Sequence, residues 1–230
     1  MKKLPPWEMM LKEMLWQQLD FVRDMDVLDF GNGEGVTAAH MAAENRVTAV
    51  EPSPEMLAAR NAYGRYTQLE GDVTLVNAMP EGSFDAVLCH NVLEYVEDKA
   101  AVVRVLCRVL RPRGVLSLCK HNRAGRVMQM AVLLDNQAEA MALLDGGNSM
   151  SAQFGPIRYY EDDEVLEWSP ELRLEQCYGL RTFWDLQQRQ ELHADPAWQE
   201  RMLTLERRVS QVDSFRQIAF FHHLILRKEG

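Results

Sequence analysis

The sequence predicts an α/β fold, with a largely parallel sheet and helices on both of its faces. Three observations predict it. Short apolar runs alternate with helical periods through the first 120 residues, in the order β-α-β-α-β. Glycines 31, 33 and 35 stop the first apolar run abruptly. Polar and acidic residues stand just past each later run, where the strand ends of an open α/β sheet line a crevice.

Taken in order, Trp7, Met10, Leu11, Met14, Leu15, Leu19 and Val22 recur at three- and four-residue steps and predict an amphipathic helix. Val27 to Phe30 reads as a short buried strand, followed by a helix from about Gly35 to Glu44. Arg46 to Val50 is a second strand ending at Glu51. Pro52-Ser53-Pro54 then supplies a turn, a cap and an N-terminal proline for a helix from Pro54 to about Tyr63. A third strand lies near Tyr66 to Glu70 and a fourth runs from Phe84 to Cys89. A helix from about Asp98 to Leu110 precedes the turn Arg111 to Gly114 and a fifth strand, Val115 to Cys119. The crossovers should be right-handed.

Past residue 120 the pattern changes. Arg126 to Leu144 reads as one long helix and Asp145 to Pro156, rich in Gly, Ser and Asn, as a mobile loop. Glu161 to Trp168 is a short helix. Leu172 to Phe183 and Ile218 to Arg227 are strands, with an amphipathic helix through Trp198, Met202, Leu205, Val209 and Val212 between them.

The 230 residues, 47% hydrophobic and 26% charged, suit one α/β domain with an elaboration. No apolar run approaches the length of a membrane span, and the first residues show no apolar signal region, so a cytoplasmic protein away from membranes is expected. Cys89, Cys107, Cys119 and Cys177 lack metal-binding spacing and read as buried free thiols. The adjacent His222 and His223 read as a strand pair, one side in and one out, so no metal is expected. A net charge of −9 opposes tight nonspecific nucleic-acid binding, which rests on neutralising phosphates, although a local basic patch stays open.

The chemistry concentrates at the strand ends. Asp29-Phe30-Gly31-Asn32-Gly33-Glu34-Gly35 has G-x-G-x-G spacing rather than the G-x-G-x-x-G of dinucleotide binders. Asp29, two residues before Gly31, would repel a pyrophosphate and attract a cationic ligand. Glu51 ends the second strand, where a carboxylate accepts both hydroxyls of a ribose or else caps the next helix. Asp72, before Val73, can accept from an adenine amino group while the following N–H donates to the ring, or it can be a turn residue. The segment from Cys89 and His90 to Asp98 closes the set.

These motifs make residues 1–120 resemble the class I (Rossmann-like) S-adenosylmethionine-dependent methyltransferases. VLDFGNGEG resembles their first motif, AVEPS their acidic second motif, and EGD their adenine-contacting segment. FDAVLCHNVLEYVED and RVLRPRGVLSL resemble the later motifs. The resemblance implies a seven-stranded sheet ordered 3-2-1-4-5-7-6 with an antiparallel last strand, and S-adenosyl-L-methionine as cofactor. It implies a single domain over 1–230: a cofactor half to residue 120, a cap and substrate-facing part over 121–217, and a final strand over 218–230. By position it puts Gly31 and Gly33 near the methionine portion, Glu51 on the ribose, Asp72 and Val73 at adenine, and His90 by the methionine or sulfonium end.

WQQLD, HNVLEYVED, the Asn122-Arg123-Ala124-Gly125 turn and GLRTFWD at 179–185 are similar to the bacterial methyltransferases that esterify carboxymethoxyuridine at the tRNA wobble position. That family uses an arginine on its N-terminal helix at the cofactor; here the matching position is Leu11, with Lys12 adjacent. A carboxylate acceptor is already ionised and needs no general base. Arg123 or Arg181 would then hold it, whereas a phenol or amine would call on His121 or His90 as base. The expected function is methyl transfer by in-line displacement to a tRNA carboxylate, or alternatively to an acidic or other small molecule bearing an O- or N-acceptor. The more distant alternatives are a nicotinamide-dependent oxidoreductase and a noncatalytic cofactor-binding partner.

Overall fold

Strands form mainly where apolar runs can be buried, and three of them are short and largely polar or half-exposed. The strands are β1 (Asp26–Phe30), β2 (Arg46–Glu51), β3 (Thr67–Glu70), β4 (Phe84–His90), β5 (Leu110–His121), β6 (Ser149–Ser151), β7 (Gly155–Ile157), β8 (Leu172–Leu180) and β9 (Phe221–Lys228). A computed structural model of the chain describes residues 4–60, 64–152 and 154–230. Among the described residues, seven strands join in the order β3-β2-β1-β4-β5-β9-β8, and β6 and β7 pair separately. The first five strands of the sheet run parallel, and β9 lies antiparallel between β5 and β8. This is the expected order, with the small β6–β7 hairpin shifting the strand numbers.

Helices α1 (Pro6–Gln18), α2 (Val36–Met41), α3 (Pro54–Ala58), α4 (Val73–Asn77) and α5 (Lys99–Val109) serve the first half. Helices α6 (Arg123–Met128), α7 (Gln137–Leu144), α8 (Glu164–Trp168), α9 (Pro196–Val209) and α10 (Asp213–Arg216) serve the second. Because strand side chains alternate, each strand feeds two cores. Leu28, Val87, Leu116 and Leu224 pack with Val76, Leu106 and Val165 beneath α4, α5 and α8. On the other face, Val27, Ala86, Val115 and Ile225 pack with Ala38 and Met41 of α2 and with Leu19 and Val22 just past α1. Further along that face, Met10, Leu11, Met14 and Leu15 of α1 meet Leu180, Trp184 and Phe221. Trp16 of α1 stacks on His40 of α2 with ring centroids 4.0 Å apart. All four cysteines are buried and free.

Three expectations are corrected. The long helix from Arg126 to Leu144 is broken: α6 passes into a π-helical turn over 129–133, Asp135 takes φ 48°, and Asn136 caps α7 through the Glu139 N–H. Apolar residues continue across the break, so their period hides it. The stretch expected as a mobile loop carries the β6–β7 hairpin. The Ser149 and Tyr159 hydroxyls bond at 3.0 Å beside it, and Ile157 and Tyr159 pack on Met130, Ala140 and Leu143. Helix α3 ends at Ala58 with Ala59 as its C-cap, short of the expected Tyr63, and residues 61–63 lie outside the described residues. Two short helices escaped prediction: α10, and α4, capped by Asp72, whose carboxylate accepts from the Thr74 N–H at 2.8 Å.

Candidate active site

The loop after β1 is held by its neighbours rather than by its own composition. Gly31 N–H donates to the Val50 carbonyl, and Asn32 and Gln68 exchange two amide hydrogen bonds of 2.9 and 3.0 Å. Gly31, at φ 71°, sits so near Val92 that an added Cβ would come within 2.4 Å of a methyl. Gly35, at φ 77°, would meet the Tyr66 hydroxyl at 2.1 Å. Both positions therefore need glycine on conformation and on space.

Glu51, at the end of β2, is buried and braces this loop. One carboxylate oxygen accepts from the Gly33 N–H at 2.8 Å and the other from the Ser53 N–H at 3.0 Å. Each oxygen keeps a second lone pair, so the group can still accept two hydroxyls. Asp29 is 3% exposed and its Oδ2 has no protein partner. Burial raises its carboxyl to about 6; Lys12 opposes that shift and Glu51 adds to it. Lys12 itself donates to the Thr37 hydroxyl at 2.9 Å. A buried carboxylate oxygen without a donor suits a ligand bearing an ammonium group.

A cavity of about 660 Å3 opens beside the loop, between the sheet's carboxyl ends and the second half of the chain. Gly31, Gly33 and His90 line one side, and His121, Arg126 and Arg181 another. Lys12 and Trp7 of α1, Tyr95, Trp184 and His193 complete much of the wall. Asp29 and Glu51 lie behind the lining residues rather than among them, and Asp72 and Val73 are not among them either. The latter two follow β3, whose Glu70 is in register with Glu51, and the Gly71 N–H donates to the Glu51 carbonyl. They thus continue the same sheet edge past Glu51.

The cavity's acceptor side differs from expectation. Arg123 does not line it: its guanidinium donates to the Leu143 and Gly147 carbonyls, the latter at 2.6 Å, and lies over the Tyr159 ring. It straps the cap instead of facing a substrate. Arg181 does line the cavity, at φ 58°, but forms a buried two-point pair with Asp185 and lies 5.2 Å from the centroids of Trp7, Phe220 and Phe221. Its charge is already matched. Lys120 is buried against Asp162 at 2.9 Å, on the opposite sheet face. Arg126, three residues past Arg123, reaches the cavity with its buried Nε unpartnered. It also bonds the Gln129 side chain and lies 3.8 Å from Glu139. Of the earlier arginines, Arg108 ties down the Val76, Asn77 and Met79 carbonyls and Arg111 bridges Asp26 and Asp85.

Three histidines line the cavity, and burial lowers all of them. Burial, helped by Arg181, Arg126 and Lys120, pushes His121 down to about 3. Burial, His223 and Lys12 hold His90 well below its usual value. The backbone N–H of His121 donates at 2.6 Å to Glu94, a fully buried carboxyl that desolvation raises to about 7.

Among the described residues one cluster has metal-like composition. Asp162, Cys177 and His222 place ligand atoms within 4.8 Å of one another. Each atom has a protein partner: His222 bridges Asp162 and the Arg216 carbonyl, the Cys177 thiol faces Asp162, and Lys120 adds a positive charge. The arrangement serves as a polar knot between β5, β8 and β9. No described helix is long and apolar enough to cross a membrane.

The family described as Methyltransferase domain matches residues 28–118, the stretch from β1 to β5. The chain is 32% identical over 163 residues to a ubiquinone biosynthesis O-methyltransferase of Xanthomonas oryzae, covering 67% of this chain and 65% of that relative's length. It is 28% identical over 232 residues to the tRNA 5-carboxymethoxyuridine methyltransferase of Escherichia coli, covering 94% of this chain and 87% of the other. Among solved structures, an S-adenosylmethionine dependent methyltransferase from Mesorhizobium loti superposes with a TM-score of 0.58 at 17% identity, covering 94% and 98% of the two chains. The 1,6-didemethyltoxoflavin-N1-methyltransferase of Burkholderia thailandensis, with bound S-adenosylhomocysteine, gives 0.56 at 16% identity, covering 95% and 76%. These two likenesses concern the fold.

Proposed function

Because the chain carries a class I, S-adenosylmethionine-dependent methyltransferase domain, we propose that it transfers the cofactor's methyl group to an acceptor that is already anionic, a carboxylate. The cofactor supplies an electrophilic methyl on a sulfonium. The chain's own part is to bind, orient and exclude water. Glu51 offers lone pairs to hydroxyls, Asp29 offers its unpartnered oxygen to an ammonium, and the Gly31–Gly33 backbone lets the ligand approach closely.

The single observation that carries the acceptor class is the state of the cavity histidines. His90 and His121 are held well below their usual value, and burial lowers His193 too, so none of the three is favoured as a base. An acceptor carrying its own negative charge suits that wall, and Arg126 is positioned to meet it. The near full-length similarity to the Escherichia coli tRNA enzyme supports a carboxylate on a modified wobble uridine.

A second reading has its own observation. Met150 and Phe154 on the β6–β7 hairpin line the cavity and are 66% and 52% exposed, an apolar rim that suits a greasy small-molecule acceptor. Transfer of radiolabelled methyl to bulk tRNA, small carboxylic acids and phenols separates the two. A carboxylate ester loses its label in mild alkali; an ether or methylamine keeps it. Alkali-labile label supports the carboxylate reading, and alkali-stable label on a phenol or amine overturns it.

The Asp29 geometry also predicts a pH dependence. Only the ionised carboxylate holds an ammonium, so affinity for S-adenosylhomocysteine should be present above pH 6 and fall as pH drops through that value. Between pH 7 and pH 5 the expected loss is about tenfold. Calorimetry on Asp29→Asn should give weaker but pH-independent binding; an unchanged profile in that variant removes Asp29 from the site.

A further inference from the structure

A chain of hydrogen bonds crosses the sheet from the cavity to the end of α1. His90 Nε2 lies 2.8 Å from the Ser117 hydroxyl, which lies 2.7 Å from His223 Nε2. His223 Nδ1 lies 2.7 Å from Gln18 Oε1, a residue 205 positions away in sequence. Ser117 and His223 are completely buried, and the two imidazoles meet edge-on at 5.7 Å. Two neutral histidines and one hydroxyl leave three proton arrangements that keep every bond, since the hydroxyl can donate to either ring or accept from both.

Gln18 selects among them. A carbonyl oxygen only accepts, so His223 carries its proton on Nδ1, and its Nε2 is bare. Ser117 therefore donates to His223 and accepts from His90, whose proton must be on Nε2. That leaves His90 Nδ1 as a bare lone pair. The ring lines the cavity, Nδ1 is shielded from water, and it has no protein partner. A buried acceptor left without a donor is costly.

We infer that Gln18 is a positioning residue: through His223 and Ser117 it fixes His90 as the Nε2–H tautomer, so that Nδ1 accepts a hydrogen bond from a donor on the molecule bound in the cavity. The inference deepens the proposed function on its cofactor side and rests on that reading only for the choice of binding probe. The opposite amide orientation at Gln18 would put the His223 proton on Nε2 and free the Ser117 hydroxyl to donate to His90, so the His90 tautomer would no longer be fixed.

Nitrogen-15 NMR of the histidine rings reads the tautomers directly, without ligand. The wild type should show His90 protonated at Nε2 and His223 at Nδ1. In Gln18→Leu or Ser117→Ala, His90 should lose its single tautomer. In Gln18→Glu, which still accepts from His223, it should keep it. A wild-type His90 protonated at Nδ1 overturns the inference. So does a Gln18→Leu protein, folded by circular dichroism, whose His90 shifts are unchanged.

The second arm is affinity for S-adenosylhomocysteine. Gln18→Leu should weaken it about three- to tenfold, with Gln18→Glu restoring it. Unchanged affinity in Gln18→Leu overturns the acceptor role. If the wild type fails to bind the probe, the cofactor reading falls and the tautomer arm still decides the network.

Discussion

Glu206→Ala is expected to destabilise the protein by about 2–6 kcal/mol, since the Thr182 and Trp184 N–H groups are buried and each such donor left unpaired costs roughly 1–3 kcal/mol. Glu206, on α9, is completely buried, and its carboxylate accepts the backbone N–H groups of Thr182, Phe183 and Trp184 at 2.7, 2.7 and 2.9 Å. Burial raises its carboxyl, while those three donors pull it back. They belong to the loop that follows Arg181 and carries Trp184 and Asp185 into the cavity wall. Losing the carboxylate should unpin this loop and with it the Arg181–Asp185 pair. The loss is a large share of a total stability of about 5–15 kcal/mol. Glu206→Gln should be milder than Ala, because its amide keeps one acceptor oxygen while placing donors against another donor. Urea unfolding measures both. A midpoint for Glu206→Ala within experimental error of the wild type would show that the loop is anchored elsewhere.

Glu51→Ala should weaken S-adenosylhomocysteine binding by about ten- to a hundredfold, the equivalent of roughly 1.5–3 kcal/mol for a charged hydrogen-bond acceptor. The side chain has two tasks at once. It presents lone pairs at the sheet edge, and it fixes Gly33 and Ser53, so its loss also loosens the glycine loop. Glu51→Gln separates the tasks: it keeps one acceptor and should fall between the parent and Ala. Calorimetric titration gives the affinities. Binding by Glu51→Ala as tight as the parent's would remove the ribose role.

Much of the sheet was legible because its strands are short apolar runs ended by punctuation. β1, β2 and β4 carry that signal in Val27–Phe30, Val47–Val50 and Ala86–Cys89, each buried in the structure. Glycines 31 and 35 were legible as punctuation, but the reason for each is a distant side chain, Val92 or Tyr66. Helix α4 is only five residues, too short for a helical period, so Asp72 could be read as a turn residue or as a ligand. The β6–β7 hairpin has three-residue strands of polar composition, which read as loop.

The acceptor side was harder, since a buried charge is defined by its partner. Lys120 finds Asp162, 42 positions on, and Arg123 finds two carbonyls of the α7 end; neither choice leaves a local trace. Arg181 did leave one: Asp185 stands four residues later, and the two form a buried pair. Arg126 stands close to Lys120, His121 and Arg123 in the sequence, and nothing local marks it as a cation that reaches the cavity. Trp7, on the apolar face of the expected first helix, and Trp184, in the GLRTFWD segment, also form cavity wall.

The most direct test of the central claim is ligand-induced stabilisation of the wild-type protein by S-adenosylhomocysteine, with NAD as comparison. At a hundred times its dissociation constant, S-adenosylhomocysteine should add about 2.7 kcal/mol, a rise of several degrees in Tm, while NAD gives none. Stabilisation by NAD in preference to S-adenosylhomocysteine, or by neither, would contradict the assignment of the Asp29–Gly31–Glu51 crevice to this cofactor.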